Sequence, residues 1–261
     1  MVSEQIIIAL GEELHQALLS RKTIAPLTER YSELTVDDSY AISRAFLERR
    51  LAASGERLVG KKIGVTSKPV QDMLNVHQPD FGFLTDAMFV KNGDIEMDGL
   101  IQPRAEAEIA FRLKKALKGP GVTPEMVIDA TQSVIPCFEI VDSRIADWRI
   151  KIQDTVADNA SCGVFALGDH EVDPRDLDLP ALKVVVKKNG EFLSEGFGAA
   201  VQGAPQAAVA WLANTLGGYG IPFEAGEIIL SGSLVPLEPV AAGDEMSMSI
   251  DGLGDCAVRF V

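Results

Sequence analysis

The stretch QPRAEAEIAF, residues 102–111, alternates charged and small apolar residues at the period of a β-strand. Successive strand side chains point to opposite faces, so Glu106 and Glu108 share one face while Ala105, Ala107 and Ile109 share the other. The two carboxylates then stand roughly 7 Å apart at Cα, near enough to converge on one ion. A bare E-x-E pattern is more often a solvated strand face. A third acid bears on that choice. Glu139 lies inside the apolar run VIPCFEIV, residues 134–141, where an unpaired carboxylate costs several kcal/mol or is forced neutral. It needs a cation, either a metal ion or an arginine, with Arg104 and Arg144 the candidates for a buried salt bridge. Three carboxylates with few His or Cys nearby suit a hard ion, Mg2+ or Mn2+, rather than zinc.

Other candidates lie to either side. GKKIGVTS, residues 60–67, places Lys61 and Lys62 on a strand facing opposite ways. Two solvated lysines are the commoner case, but an inward one would have a lowered pKa and could stabilise an enolate or move a proton. VHQPDFGFL, residues 76–84, is a loop punctuated by Pro and Gly that carries His77, Gln78 and Asp80. Asp80 is either a turn former or a general base. DTVADNASCG, residues 154–163, offers Asp154, Asp158, Asn159 and Ser161, all of which also serve plain turn chemistry. No Gly-rich phosphate loop, serine-nucleophile elbow or zinc motif occurs in the chain.

The wider pattern is a mixed α+β chain. Residues 3–20 and 37–53 read as amphipathic helices, the second capped by Asp37 or Asp38, forming a helical N-terminal segment over residues 1–55. A β-rich core follows over residues 56–261. Thr123-Pro124-Glu125 starts a helix through MVIDATQSV that runs to Pro136. Asn189-Gly190 in VVVKKNGEFL marks a hairpin, and QAAVAWLANTLGG a buried helix stopped at Gly217-Gly218. Met246, Met248 and Ile250, then Cys256, Val258 and Phe260, alternate as a closing hairpin around Asp251-Gly252.

With 261 residues, 47% hydrophobic and 24% charged, the chain is a folded globular protein with one catalytic-size core. Its net charge of −14 argues against nucleic acid and anionic membranes as partners. An anionic substrate then needs a local positive charge or a metal. No signal peptide or membrane span is read at the N-terminus, and Cys137, Cys162 and Cys256 suit a reducing compartment, so the expected location is cytoplasmic.

Taken together, GKKIGVTS, HQPDFGFL, QPRAEAEIA, IPCFEIVDSRI, DTVADNASCG and GEIILSGS occur in the order of, and resemble, the hydratase and decarboxylase branch of the fumarylacetoacetate hydrolase superfamily. The resemblance implies a mixed β-sheet roll behind a helical N-terminal region. It implies Glu106, Glu108 and Glu139 as ligands of Mg2+ or Mn2+, Lys62, Asp80 and Ser161 as catalytic groups, and Gln78, Arg104 and Ser233 as substrate contacts. The implied activity is hydration of a 2-hydroxydienoate in aromatic meta-cleavage catabolism. Gln78-Pro79-Asp80 and Gln102-Pro103-Arg104 resemble the hydratases more than the decarboxylases of 2-oxo-3-hexenedioate. Decarboxylase, C–C hydrolase and non-catalytic scaffold stand as alternatives. A homo-oligomer and a complex with the pathway's 4-oxalocrotonate decarboxylase are the implied assemblies.

Overall fold

A computed structural model describes residues 2–67, 71 and 76–261. In chain order the elements are α1 (Glu4–Ser20), α2 (Leu27–Arg30), α3 (Val36–Ser54), β1 (Leu58–Gly64), β2 (Asp80–Thr85), β3 (Phe89–Val90), β4 (Asp94–Ile95), β5 (Pro103–Leu113), α4 (Pro124–Ala130) and β6 (Thr131–Asp142). Then come α5 (Ile152–Ala157), β7 (Cys162–Leu167), β8 (Lys183–Lys188), β9 (Glu191–Phe197), α6 (Pro205–Gly218), β10 (Ile228–Leu230), β11 (Glu238–Pro239), β12 (Glu245–Ile250) and β13 (Gly254–Phe260). No helix among the described residues is long and apolar enough to cross a membrane.

β5 is the strand that the alternation at 104–110 predicts. It pairs antiparallel with β6 along its length, within a mixed sheet ordered β2-β1-β10-β5-β6-β7-β3 that β11 joins alongside β5. A short turn at Asp86–Met88 carries the chain from β2 at one end of this sheet to β3 at the other, where β3 pairs with β7. The sheet therefore curls. The curl is visible at Lys62 and Glu139, three strands apart, with the Lys62 row meeting β5 and β6 at Ala110 and Ile135. On a flat sheet they would lie about 14 Å apart sideways and about 13 Å along the strands. In the protein they touch, at 3.1 Å.

Both faces of β5 are used. Ala105, Ala107, Ile109 and Phe111 enter the main core, shared with α6 and with the inner face of a second sheet ordered β4-β13-β12-β8-β9. The other face looks into the roll, where Ala110, Ile135, Cys137, Cys162, Phe165 and Leu230 form a smaller apolar cluster. A third cluster ties α1 and α3 to Ile145 and Ala157. The hairpin at Asn189-Gly190 forms with φ of 54° and 81°, and the residues expected to be buried in the closing hairpin, from Met246 to Phe260, are buried.

Two local expectations are corrected. The N-cap of α3 is Thr35; Asp38 is its reciprocal partner, accepting from Thr35 N–H while its own N–H donates to Thr35 Oγ1, both at 3.1 Å. α4 ends at Ala130, and β6 runs straight through Pro136. The Pro136 carbonyl accepts from Gly168 N–H at 2.8 Å, so the missing N–H faces the side on which β7 gives out, and no ladder bond to β5 is lost. The buried helix α6 ends at Gly218, where the sequence places its stop, and the chain turns at Gly220, whose φ is 75°.

Candidate active site

β5 sends Glu106 and Glu108 into the roll, and β6 sends Glu139 from the position opposite Glu106. One oxygen from each of the three carboxylates lies within 4.8 Å of the others. Glu108 and Glu139 are fully buried and Glu106 is partly exposed, so the cluster opens toward solvent on the Glu106 side. Gly232 N–H donates to Glu108 Oε2 at 2.9 Å. Among the described residues, Glu108 Oε1 and Glu139 Oε2 have neither a hydrogen-bond nor an ion-pair partner, while Glu139 Oε1 faces the Lys62 ammonium at 3.1 Å. Burial, with Glu139 close by, pushes the Glu106 carboxyl up to about 7 and the Glu108 carboxyl well above the usual carboxylate range. Orphaned acid oxygens converging on one small volume fit a hard divalent cation, which takes oxygen ligands and removes the repulsion.

Strand alternation separates the two lysines. Lys61 turns away from the roll, 2.5 Å from Glu227 Oε1 and over the Phe223 ring. Lys62 turns inward, fully buried, with Nζ 3.1 Å from Glu139 Oε1. The cation beside Glu139 is therefore neither expected arginine. Arg144 is engaged by Asp158 Oδ1 and by the carbonyls of Asp142, Cys162 and Asp158, and Arg104 lies over the Trp148 ring. The expected lowering of the lysine pKa is also reversed. Burial alone would lower it, but Glu139, Cys162, Asp80 and Glu106 together raise it, and Lys62 stays an ammonium.

Asp80, the first residue of β2, pairs with Gly64 at the end of β1. It is buried, and neither of its oxygens accepts a hydrogen bond among the described residues. Burial raises its carboxyl to about 6 against the pull of Lys62. Gly64 makes room for it: a Cβ there would sit 2.3 Å from Asp80 Oδ1 and 3.6 Å from Lys62 Nζ.

The segment before β7 takes an unusual shape. Asn159, Ala160 and Ser161 are all left-handed, with φ of 53°, 52° and 53°, a conformation costing about 1–2 kcal/mol per residue. The Asn159 amide offsets this by accepting from Phe83 N–H at 2.8 Å and donating to Phe83 O at 3.0 Å. Ser161 is thereby fixed, buried, with Oγ 3.2 Å from Thr155 Oγ1. Asp154 and Asp158 are braces. Asp154 accepts from Thr28 N–H, Thr28 Oγ1–H and Lys151 N–H, while Asp158 holds Arg144.

The family model described as "Fumarylacetoacetate (FAA) hydrolase C-terminal" matches residues 54–261. The chain belongs to the fumarylacetoacetate hydrolase family. It is 62% identical over 263 residues to the 2-hydroxyhexa-2,4-dienoate hydratase of Comamonas testosteroni, covering 100% of this chain and 99% of that one. It is 61% identical over 222 residues to the 2-hydroxypent-2,4-dienoate hydratase of Pseudomonas putida, covering 84% of this chain and 100% of that one. Among solved structures it resembles the 4-oxalocrotonate decarboxylase of Pseudomonas putida G7 complexed with magnesium and adipate. The TM-score is 0.95 at 37% identity, covering 100% of this chain and 99% of that one.

In this fumarylacetoacetate hydrolase family chain, the roll gathers Glu106, Glu108, Glu139, Lys62 and Asp80, with Ser161 just ahead of the inward-facing Cys162. Gln78 is exposed in a cleft with His77, Pro79 and Trp211, and Ser233 Oγ donates to Val235 O at 2.7 Å within its own loop. Gly64 and Gly232 were not singled out from the sequence, although each lies inside a motif read there. Their contribution is a missing side chain and a backbone N–H, which residue chemistry alone does not advertise.

Proposed function

We propose that this chain is a metal-dependent hydratase that converts 2-hydroxypenta-2,4-dienoate to 4-hydroxy-2-oxopentanoate in aromatic meta-cleavage catabolism. The observation that carries this reading is the cluster of Glu106, Glu108, Glu139, Lys62 and Asp80 on one inner face of the roll. It occurs in a chain 62% and 61% identical to two dienoate hydratases. Glu106, Glu108 and Glu139 hold Mg2+ or Mn2+, and the bound ion supplies the positive charge that offsets the substrate's carboxylate and 2-oxygen.

Lys62, kept charged by its acidic neighbours, donates toward the 2-oxygen and stabilises negative charge there. That charge is present in the dienolate before C5 is protonated, and it returns when water adds at C4. Asp80, whose oxygens accept no hydrogen bond among the described residues and whose carboxyl is raised to about 6, is suited to hold or move the proton of the adding water or the proton bound for C5. Ser161 supplies a fixed hydroxyl beside this space.

A second reading is decarboxylation of 2-oxo-3-hexenedioate, favoured by the likeness to the solved decarboxylase. The same stabilisation of a 2-oxygen would serve loss of CO2, with no water to activate. The greater identity to hydratases, 62% against 37%, favours hydration. The Glu106→Gln variant is expected to bind Mg2+ at least about tenfold more weakly in calorimetry and to lose turnover. An unchanged affinity would remove Glu106 as a ligand. Asp80→Asn is expected to keep Mg2+ binding and to slow dienol loss, followed by UV absorbance, at least about a hundredfold. An unchanged rate would take Asp80 out of the mechanism.

A further inference from the structure

β2 lies at one end of the main sheet: among the described residues it pairs with β1 on one side and with no strand on the other. The roll therefore has a seam, where this edge faces the chain around β7. At the Thr85 end the chain closes the seam itself, turning through Asp86–Met88 into β3, which pairs with β7. At the Asp80 end the bridge is a side chain. Asn159, 1% exposed, accepts from Phe83 N–H at 2.8 Å and donates to Phe83 O at 3.0 Å. Phe83 stands opposite Lys61 in the ladder with β1, and both its backbone groups point off the edge of the sheet. The amide takes the place of a paired strand residue.

The turn that carries this amide is built for the contact. Asn159, Ala160 and Ser161 are consecutive left-handed residues, and asparagine is one of the few side chains that enters that region readily. Gly82, beside Phe83, lets the turn lie against the strand: a Cβ there would sit 2.5 Å from Asn159 O and 3.2 Å from Asn159 Oδ1. Gly82 and Asp80 share one face of β2, and Ser161 follows two residues after Asn159. On the opposite face the Tyr40 ring of α3 stacks on Phe81 at 4.2 Å. The strand is thus held on its outer face by α3 and at its free edge by Asn159, close to Asp80 in both cases.

We propose that Asn159 is a positioning residue: by closing the seam of the roll it holds the strand that carries Asp80 in register with the turn that carries Ser161. This rests on the reading of Asp80 and Ser161 as working groups of hydration. A strand edge with unpaired N–H and C=O groups is free to shift and fray. Asp80 accepts no hydrogen bond among the described residues, so its place depends on the backbone that bears it. A displacement of about 1 Å at a reacting group can cost on the order of a hundredfold in rate. Glu106, Glu108 and Glu139 stand on β5 and β6, away from the seam. The role therefore falls on kcat, with KM and Mg2+ affinity largely kept.

The test uses the full chain with saturating Mg2+ and 2-hydroxypenta-2,4-dienoate. Asn159→Gly leaves the left-handed turn unstrained and removes the amide. It is expected to lower kcat at least about tenfold, with KM and calorimetric Mg2+ affinity within about threefold. In an Asp80→Asn background, where no working carboxylate remains to be positioned, the same change is expected to cost less than about threefold. A kcat within about twofold of the unaltered chain, or an equal further loss in the Asp80→Asn background, would overturn the positioning role. Hydrogen exchange by mass spectrometry reads the seam without turnover. The Asp80–Thr85 strand is expected to exchange at least about tenfold faster in Asn159→Gly, with β5 and β6 unchanged; unchanged exchange in that strand would overturn the inference. If Asn159→Gly does not fold, Asn159→Asp replaces it, keeping the acceptor for Phe83 N–H and losing the donor to Phe83 O, with the same expected and contradicting results. If the unaltered chain does not turn over the dienoate, the hydratase reading fails instead, and the exchange measurement alone decides the seam.

Discussion

At Gly64 a single absent side chain leaves room for both charged groups that flank the acid cluster. An alanine Cβ there would press on Asp80 Oδ1 at 2.3 Å and lie 3.6 Å from Lys62 Nζ, so the Asp80 carboxylate must shift. Gly64→Ala is therefore expected to keep the fold by circular dichroism and to lower kcat at least about tenfold, within the range ascribed to a positioned acid or base. Equal kcat would show that Asp80's position is unimportant. The adjacent lysines give a sharper contrast. Lys62→Met should abolish turnover, whereas Lys61→Met leaves Glu227 short of its cation and should cost about 1–3 kcal/mol in urea unfolding with turnover largely kept. Equal loss of activity in the two would contradict the assignment of opposite faces. That alternation was legible in GKKIG, because a two-residue period is a local property. Which lysine faced the acids was not legible, since it depends on strands far apart in sequence.

Elements were legible where their signals are local, and lost where a partner decides. Thr123-Pro124 and Asn189-Gly190 mark the helix start and hairpin turn found in the structure, because capping and positive φ are settled within a few residues. The end of α4 was misplaced because Pro136 normally excludes a ladder strand, and only the place where β7 stops makes it harmless. The acids of DTVADNASCG looked catalytic or turn-forming by type, and tertiary partners make them braces. Asp158 and Arg144 clamp the end of β6 to the segment between α5 and β7, with the guanidinium 1% exposed and the carboxylate 0%. Removing one charge strands the other in the interior. Asp158→Asn is expected to cost about 3–5 kcal/mol in urea unfolding. A loss below about 1 kcal/mol would show the pair to be replaceable by a neutral hydrogen bond.

On the scale of the whole molecule, the curl of the sheet makes a site out of residues that a flat sheet would scatter. The E-x-E face and the buried Glu139 could be read as an acid cluster in search of a cation. The arrival of Lys62 and Asp80 at that cluster depends on the order β2-β1-β10-β5-β6, which no local pattern encodes. The gathered acids also set a pH dependence. Folding raises Asp80 to about 6, Glu106 to about 7 and Glu108 well above its ordinary value, against about 4 when unfolded. The folded chain then binds more protons than the unfolded one between about pH 4 and 7, so without added metal its stability falls as pH rises through that window. Mg2+ favours the ionised acids, so the gap in melting temperature between Mg2+ and EDTA samples is expected to widen from pH 5 to pH 8. A constant gap would contradict a carboxylate metal site.

Hydration itself is tested most directly by offering the purified protein, with Mg2+, 2-hydroxypenta-2,4-dienoate and 2-oxo-3-hexenedioate in parallel, and assaying both 4-hydroxy-2-oxopentanoate and CO2. The expected result is 4-hydroxy-2-oxopentanoate from the dienoate and no CO2 from the hexenedioate. Release of CO2 with no hydration of the dienoate would contradict it.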